Sequence, residues 1–169
     1  MFDIQISNPK ASEFRNESAS NLDEAIESIF PLHTEYAFII WNHIFIPLSY
    51  KYDLSIIIKD IIFILNELSD KKEGGFKLDW PSDTFSSSWT VEFNASMVKI
   101  SATWHTVIGS VEELLNANSP LEVEKQEFIE KWMTLFSFIK NKLENAGYNS
   151  TNLDDFNELE KLVLKMRNL

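Results

Sequence analysis

Between Phe76 and Trp104 the chain alternates apolar and polar residues three times in succession. Phe76, Leu78 and Trp80 alternate with Lys77 and Asp79. Trp89, Val91 and Phe93 alternate with Thr90 and Glu92. Val98, Ile100, Ala102 and Trp104 alternate with Lys99, Ser101 and Thr103. A period of two sends successive side chains to opposite faces of a strand. Three such runs predict an antiparallel meander with one apolar and one wet face. The apolar face has to be buried by another layer, and that requirement constrains the fold more than any other feature. Asn94-Ala95-Ser96 reads as a hairpin connection, and the Ser-rich 81–88 stretch as a longer loop.

Helical segments supply candidates for that layer. After Asp53, a suitable N-cap, Leu54, Ile57, Ile58, Ile61, Leu65 and Leu68 recur at helical spacing. Ile56, Ile62, Phe63 and Ile64 widen the stripe nearly all round, which predicts a central helix over 53–69 packed on more than one side. Ser119-Pro120-Leu121-Glu122 predicts the start of a long helix over 120–146, with Pro at its first position and Glu at its third. Its buried stripe is Phe128, Trp132, Leu135, Phe136, Ile139 and Leu143. Glu127 and Lys131 suit a surface pair, and Gly147 suits the position just past the end. Asn21 to Glu24 opens a short helix that ends near Phe30, Ser110 to Asn116 allows one or two helical turns, and a last helix is predicted over 153–167. Phe2, Ile4 and Ile6 form a short strand. Tyr36–Trp41 and Ile44–Leu48, separated by Asn42-His43, have the spacing of a tight hairpin. Both runs are apolar on both faces, which predicts a buried place in the sheet. The expected fold is α+β: an antiparallel sheet of about five to six strands packed against helices, in one domain spanning residues 1–169, a length typical of a single domain.

Composition narrows the chemistry. The chain has no cysteine and four glycines, so thiolate chemistry, a disulfide framework and a glycine-rich phosphate cradle are not expected. His33, His43 and His105 stand apart, without the ligand spacing of a metal site. Asp79 and Asp83 flank Trp80-Pro81, and a carboxylate pair can do acid–base work, but a Pro-containing loop with two solvated acids is the commoner explanation. No nucleophile–base motif occurs. We therefore expect no catalytic residue, no metal and no cofactor. Apolar runs such as Ala37–Trp41 and Ile61–Leu65 fall far short of the roughly 20 residues of a membrane span. The N-terminus lacks the features of a secretory signal, so a cytoplasmic location is expected.

The formal net charge of −11 repels phosphate backbones and anionic lipids, which argues against direct nucleic-acid or membrane binding. It would attract a basic protein, or it serves only to keep the protein soluble. Asp23, Glu24 and Glu27, together with Glu13, Glu17 and Glu35, make the N-terminal fifth the most acidic part of the chain. Asp23, Glu24 and Glu27 are the first candidate partner-binding residues, and Asp79 and Asp83 the second group. The same acids also suit an ordinary solvated helix face near an N-terminus.

Three segments carry a family likeness: Trp41-Asn42-His43-Ile44-Phe45-Ile46-Pro47-Leu48, Trp80-Pro81-Ser82-Asp83 and Ser101-Ala102-Thr103-Trp104, with Phe128 to Trp132 in addition. The stretch from Trp41 to Gly147 resembles the immunity proteins of contact-dependent inhibition and related bacterial polymorphic toxin systems. The resemblance implies a cytosolic protein that binds and neutralises one cognate toxin domain, often a basic nuclease. It assigns no contact residue, because such proteins bind through divergent surfaces. Two other readings stay open: a small-ligand-binding domain or enzyme, which needs a deep pocket with converging polar groups, and a self-assembling structural protein, which needs an apolar patch and a symmetric interface.

Overall fold

The computed structural model describes residues 1–166. Its elements run β1 (Phe2–Gln5), α1 (Leu22–Ile29), β2 (Tyr36–Trp41), β3 (Ile44–Ser49), α2 (Asp53–Asp70), β4 (Gly74–Pro81), β5 (Phe85–Phe93), β6 (Met97–Val107), α3 (Glu112–Ala117), β7 (Leu121–Glu124), α4 (Lys125–Asn145) and α5 (Phe156–Met166). The class is α+β, as expected, but the strands among the described residues number seven and form two antiparallel sheets. One has the order β1-β2-β3, the other β4-β5-β6-β7.

The alternating runs become the antiparallel strands β4, β5 and β6, as expected, with Trp89 opposite Ala102 and Val91 opposite Ile100. Their apolar face is buried: Trp80, Trp89 and Trp104 are each at most 2% exposed. Part of the cover comes from the other sheet rather than from helices. The Trp41 ring of β2 lies 5.0 Å from that of Trp89 and 5.3 Å from that of Trp104, the latter edge-on. Tilted and edge-on geometries suit the ring quadrupoles. This aromatic cluster joins the two sheets. On the other side Phe2 of β1 stacks 4.7 Å from Phe128 of α4, and Phe128 and Phe136 flank the fully buried Trp132.

The 42–43 turn has both central residues at positive φ, 46° and 70°, as a type I′ turn requires. Its hairpin is less uniformly buried than predicted. β2 is central, but β3 is an edge strand, and Phe45 faces solvent. Pro47 explains the placement, since proline cannot donate to a ladder and belongs on an edge.

The predicted start of the long helix is wrong. Ser119–Pro120 is a cis peptide, and Leu121–Glu124 pairs with Met97–Ile100 as β7. Leu121 and Val123 are buried and Glu122 and Glu124 exposed. That alternation of two outweighed the capping signature, and the helix begins only at Lys125. Lys131 also departs from expectation: it binds Asp3 at 2.9 Å rather than Glu127. The end of the helix is as predicted. Gly147 has φ 97°, and the N–H groups of Gly147 and Tyr148 donate to the carbonyls of Glu144 and Leu143, closing the helix as a Schellman motif. The 81–88 loop is shorter than expected, because pairing resumes at Phe85. The last helix starts at Phe156 rather than 153, and its predicted end at Arg167 lies outside the described residues.

α2 packs against α1, α4, α5, β3 and β4, which accounts for its broad apolar surface. No described helix is long and apolar enough to cross a membrane.

Candidate functional site

The local sequence fixes α1 firmly. Asn21 caps it, its Oδ1 accepting from the Glu24 N–H at 2.9 Å. Glu24 reaches back and accepts from the Ser20 N–H at 2.7 Å and from the Ser20 hydroxyl at 3.0 Å. This is a capping box shifted by one residue, because Glu24 reaches past the cap Asn21 to Ser20. Those bonds from Ser20 hold the Glu24 carboxyl below the usual range. Leu22, Ala25, Ile26 and Ile29 are buried, so the other face of α1 looks outward.

The three acids of this helix do not act as one patch. Asp23 turns towards α2 and binds Lys59 at 3.2 Å, and Lys59 also binds Asp155 at 3.1 Å. Burial pushes the Asp23 carboxyl up despite the opposing pull of Lys59. Asp155 closes the arrangement by accepting from the Leu22 N–H at 2.7 Å. Asp23 is therefore a bracing residue between helices. Glu24 and Glu27 look outward and line an open depression of about 430 Å³ with Asn16, Ser18, Ser28 and Lys51. Glu27 is exposed, and its side chain has no hydrogen bond or ion pair among the described residues. Lys51, brought beside this acidic rim by the turn after β3, was not singled out from the sequence. Glu17 lies near Arg15 at 3.7 Å, and Glu35 accepts from the Lys10 N–H.

The second group is built differently. Asp79 is exposed on the outer face of β4, opposite Ser88. Asp83 is exposed in the turn between β4 and β5, and its two neighbours are tied down. The hydroxyls of Ser82 and Thr84 both donate to Oδ1 of Asp53, while the Ser49 N–H donates to Oδ2 at 2.8 Å. Asp53 itself is fully buried at the start of α2. Asp53 is therefore not the expected N-cap, which falls at Tyr52 without a side-chain bond; it serves instead as a knot that joins β3, α2 and the β4–β5 turn and fixes the backbone that presents Asp83. Its partners were invisible in sequence, because Ser82 and Thr84 lie about 30 residues away and carry no periodic signal.

The histidines remain separate. His33 and His43 are exposed, and His105 faces outward with its ring nitrogen 3.1 Å from the Ser88 hydroxyl. Trp104, its neighbour, points inward, as strand alternation demands. Among the described residues no group of three or more His, Asp or Glu side chains is placed to hold a metal ion. A smaller depression of about 210 Å³ is lined by His33, Tyr36, Ser49, Tyr52, Thr84 and Ile108. It holds no carboxylate beside the imidazole.

Comparison with family models, with curated proteins and with solved structures finds no match to this chain.

Proposed function

We propose that this protein binds and neutralises a cognate bacterial toxin domain whose active surface is basic. The observation that carries the reading is the outward acidic rim of α1. Glu24 and Glu27 project from a helix that is capped, braced and packed on both α2 and α4. A rigid acidic rim on a chain of net charge −11 speeds encounter with a basic partner through long-range attraction. Covering a basic active surface also removes the toxin's grip on its own substrate. Asp79 and Asp83 form the second contact group, with Asp83 held in place through Asp53. Asp23 drops out of the contact set, because its charge is spent on Lys59. The likeness of Trp41–Gly147 to immunity proteins agrees with this reading.

The test is the association of this chain with that cognate toxin domain. A complex should persist through gel filtration. Charge reversal at Glu24 and Glu27 should slow association about tenfold or more at low salt, as expected for rim charges that steer encounter. Asp23→Asn should leave association unchanged. Absence of any complex would overturn the function. A complex indifferent to reversal at Glu24, Glu27, Asp79 and Asp83 would overturn the choice of surface.

A further inference from the structure

Four strand edges end the two sheets, and three are closed to further pairing. β1 and β7 have four residues each, and β3 carries Pro47. Beyond β7, the edge of β6 is capped by side chains: Asn116 accepts from the Trp104 N–H at 2.7 Å and donates to its carbonyl at 3.0 Å, and Ser119 accepts from the Ala102 N–H. The amide of Asn116 thus stands in for a neighbouring strand. β4 is different. It is eight residues long and pairs only with β5, and no described residue bonds to its outer edge. Such an edge is a template for another strand.

We propose that β4 pairs antiparallel with β4 of a second copy of this chain, about a two-fold axis through Leu78. In that register Lys77 lies opposite Asp79 of the other copy, and Asp79 opposite its Lys77, so one strand supplies both halves of two charge pairs. Leu78 meets its own counterpart, and Phe76 meets Trp80. This is the self-complementarity that a two-fold interface demands. Local charge also permits the approach. Residues 71–81 carry Lys71, Lys72 and Lys77 against Glu73 and Asp79, so this edge is free of the acidity of the rest of the chain.

The layer beneath the sheet fits the same axis. α2 runs under β4, with Asp60 accepting from the Trp80 indole at 2.8 Å and the Phe63 ring 5.3 Å from Phe76. Ile56 and Phe63, one helical stripe, are 46% and 44% exposed, an unusual exposure on an otherwise core helix. An axis perpendicular to the sheet places both α2 helices on one side of it, where these side chains approach their counterparts. The result is a continuous eight-stranded sheet. The dimer does not require toxin binding, but it shares Asp79 with the second contact group; Lys77 lies outside that group, so Lys77→Asp tests the dimer by itself.

Sedimentation velocity of the full chain across a wide concentration range tests it. The wild type should dimerise. Lys77→Asp alone, or Asp79→Lys alone, sets like charges opposite one another at two symmetric places and should weaken the dimer about tenfold or more. The double variant Lys77→Asp/Asp79→Lys should restore it. Both positions are exposed, so circular dichroism should show the fold intact. Amide exchange at residues 75–80 should slow as concentration rises. A wild type that stays monomeric would overturn the proposal. So would a dimer that ignores the single reversals, or amide protection at 75–80 that appears only when the toxin domain is added.

Discussion

Trp132 is held on every side: fully buried, 6.3 Å from Phe2, 6.4 Å from Phe128 and 6.2 Å from Phe136. Trp132→Ala should destabilise the protein by about 3–5 kcal/mol, the range for truncating a large core aromatic, read by chemical denaturation. Asp53→Ala acts through polar groups instead. It strips the buried Ser49 N–H and the Ser82 and Thr84 hydroxyls of their acceptor, and should cost about 3 kcal/mol. It should also loosen the turn that carries Asp83, visible as faster amide exchange over 82–84. Asp3 makes a pH-dependent contribution. The hydrogen bond from Lys131 holds its carboxyl below the usual aspartate range, so its folded pKa lies under its unfolded one. The stabilisation is therefore complete above the unfolded value and is lost as pH falls through the folded value. Asp3→Asn should be less stable than wild type at neutral pH by about 1 kcal/mol or less, since both partners are partly solvated. The difference should vanish in acid, as denaturation midpoints measured against pH would show.

The elements most legible in the sequence were those whose signal is local and repeated. The alternation of β4, β5 and β6, the apolar stripe of α2 and the glycine that ends α4 each repeat or complete a pattern within a few residues, and each was found where expected. Ser119 to Glu122 misled because a good capping sequence and a short alternating strand share the same four residues. Pairing with β6 rewards the strand, and no local signal reports that partner. The split into two sheets was illegible for a related reason: the contact of Trp41 with Trp89 and Trp104 is a meeting of two apolar faces, which periodicity cannot assign to one sheet or two. The candidate site shows the same limit. That α1 turns acids outward was readable from its stripe. That Asp23 alone bends away to Lys59 depends on where α2 lies.

Across the whole molecule, acidic charge and rigid placement occur together. An excess of acids alone would be a solubility device. Here the acids of the first group that still face water sit on a capped helix, and one acid of the second sits in a turn pinned by Asp53. Pre-organised charge adds to association rate without the cost of ordering a mobile segment. The most direct measurement is protection in cells. The cognate toxin domain that the proposal requires is expressed with and without this chain, and growth is followed. The account predicts growth with the protein present and arrest without it, with protection reduced when Glu24, Glu27, Asp79 and Asp83 are reversed together. Equal arrest in both cultures, with this chain folded and abundant, would contradict it.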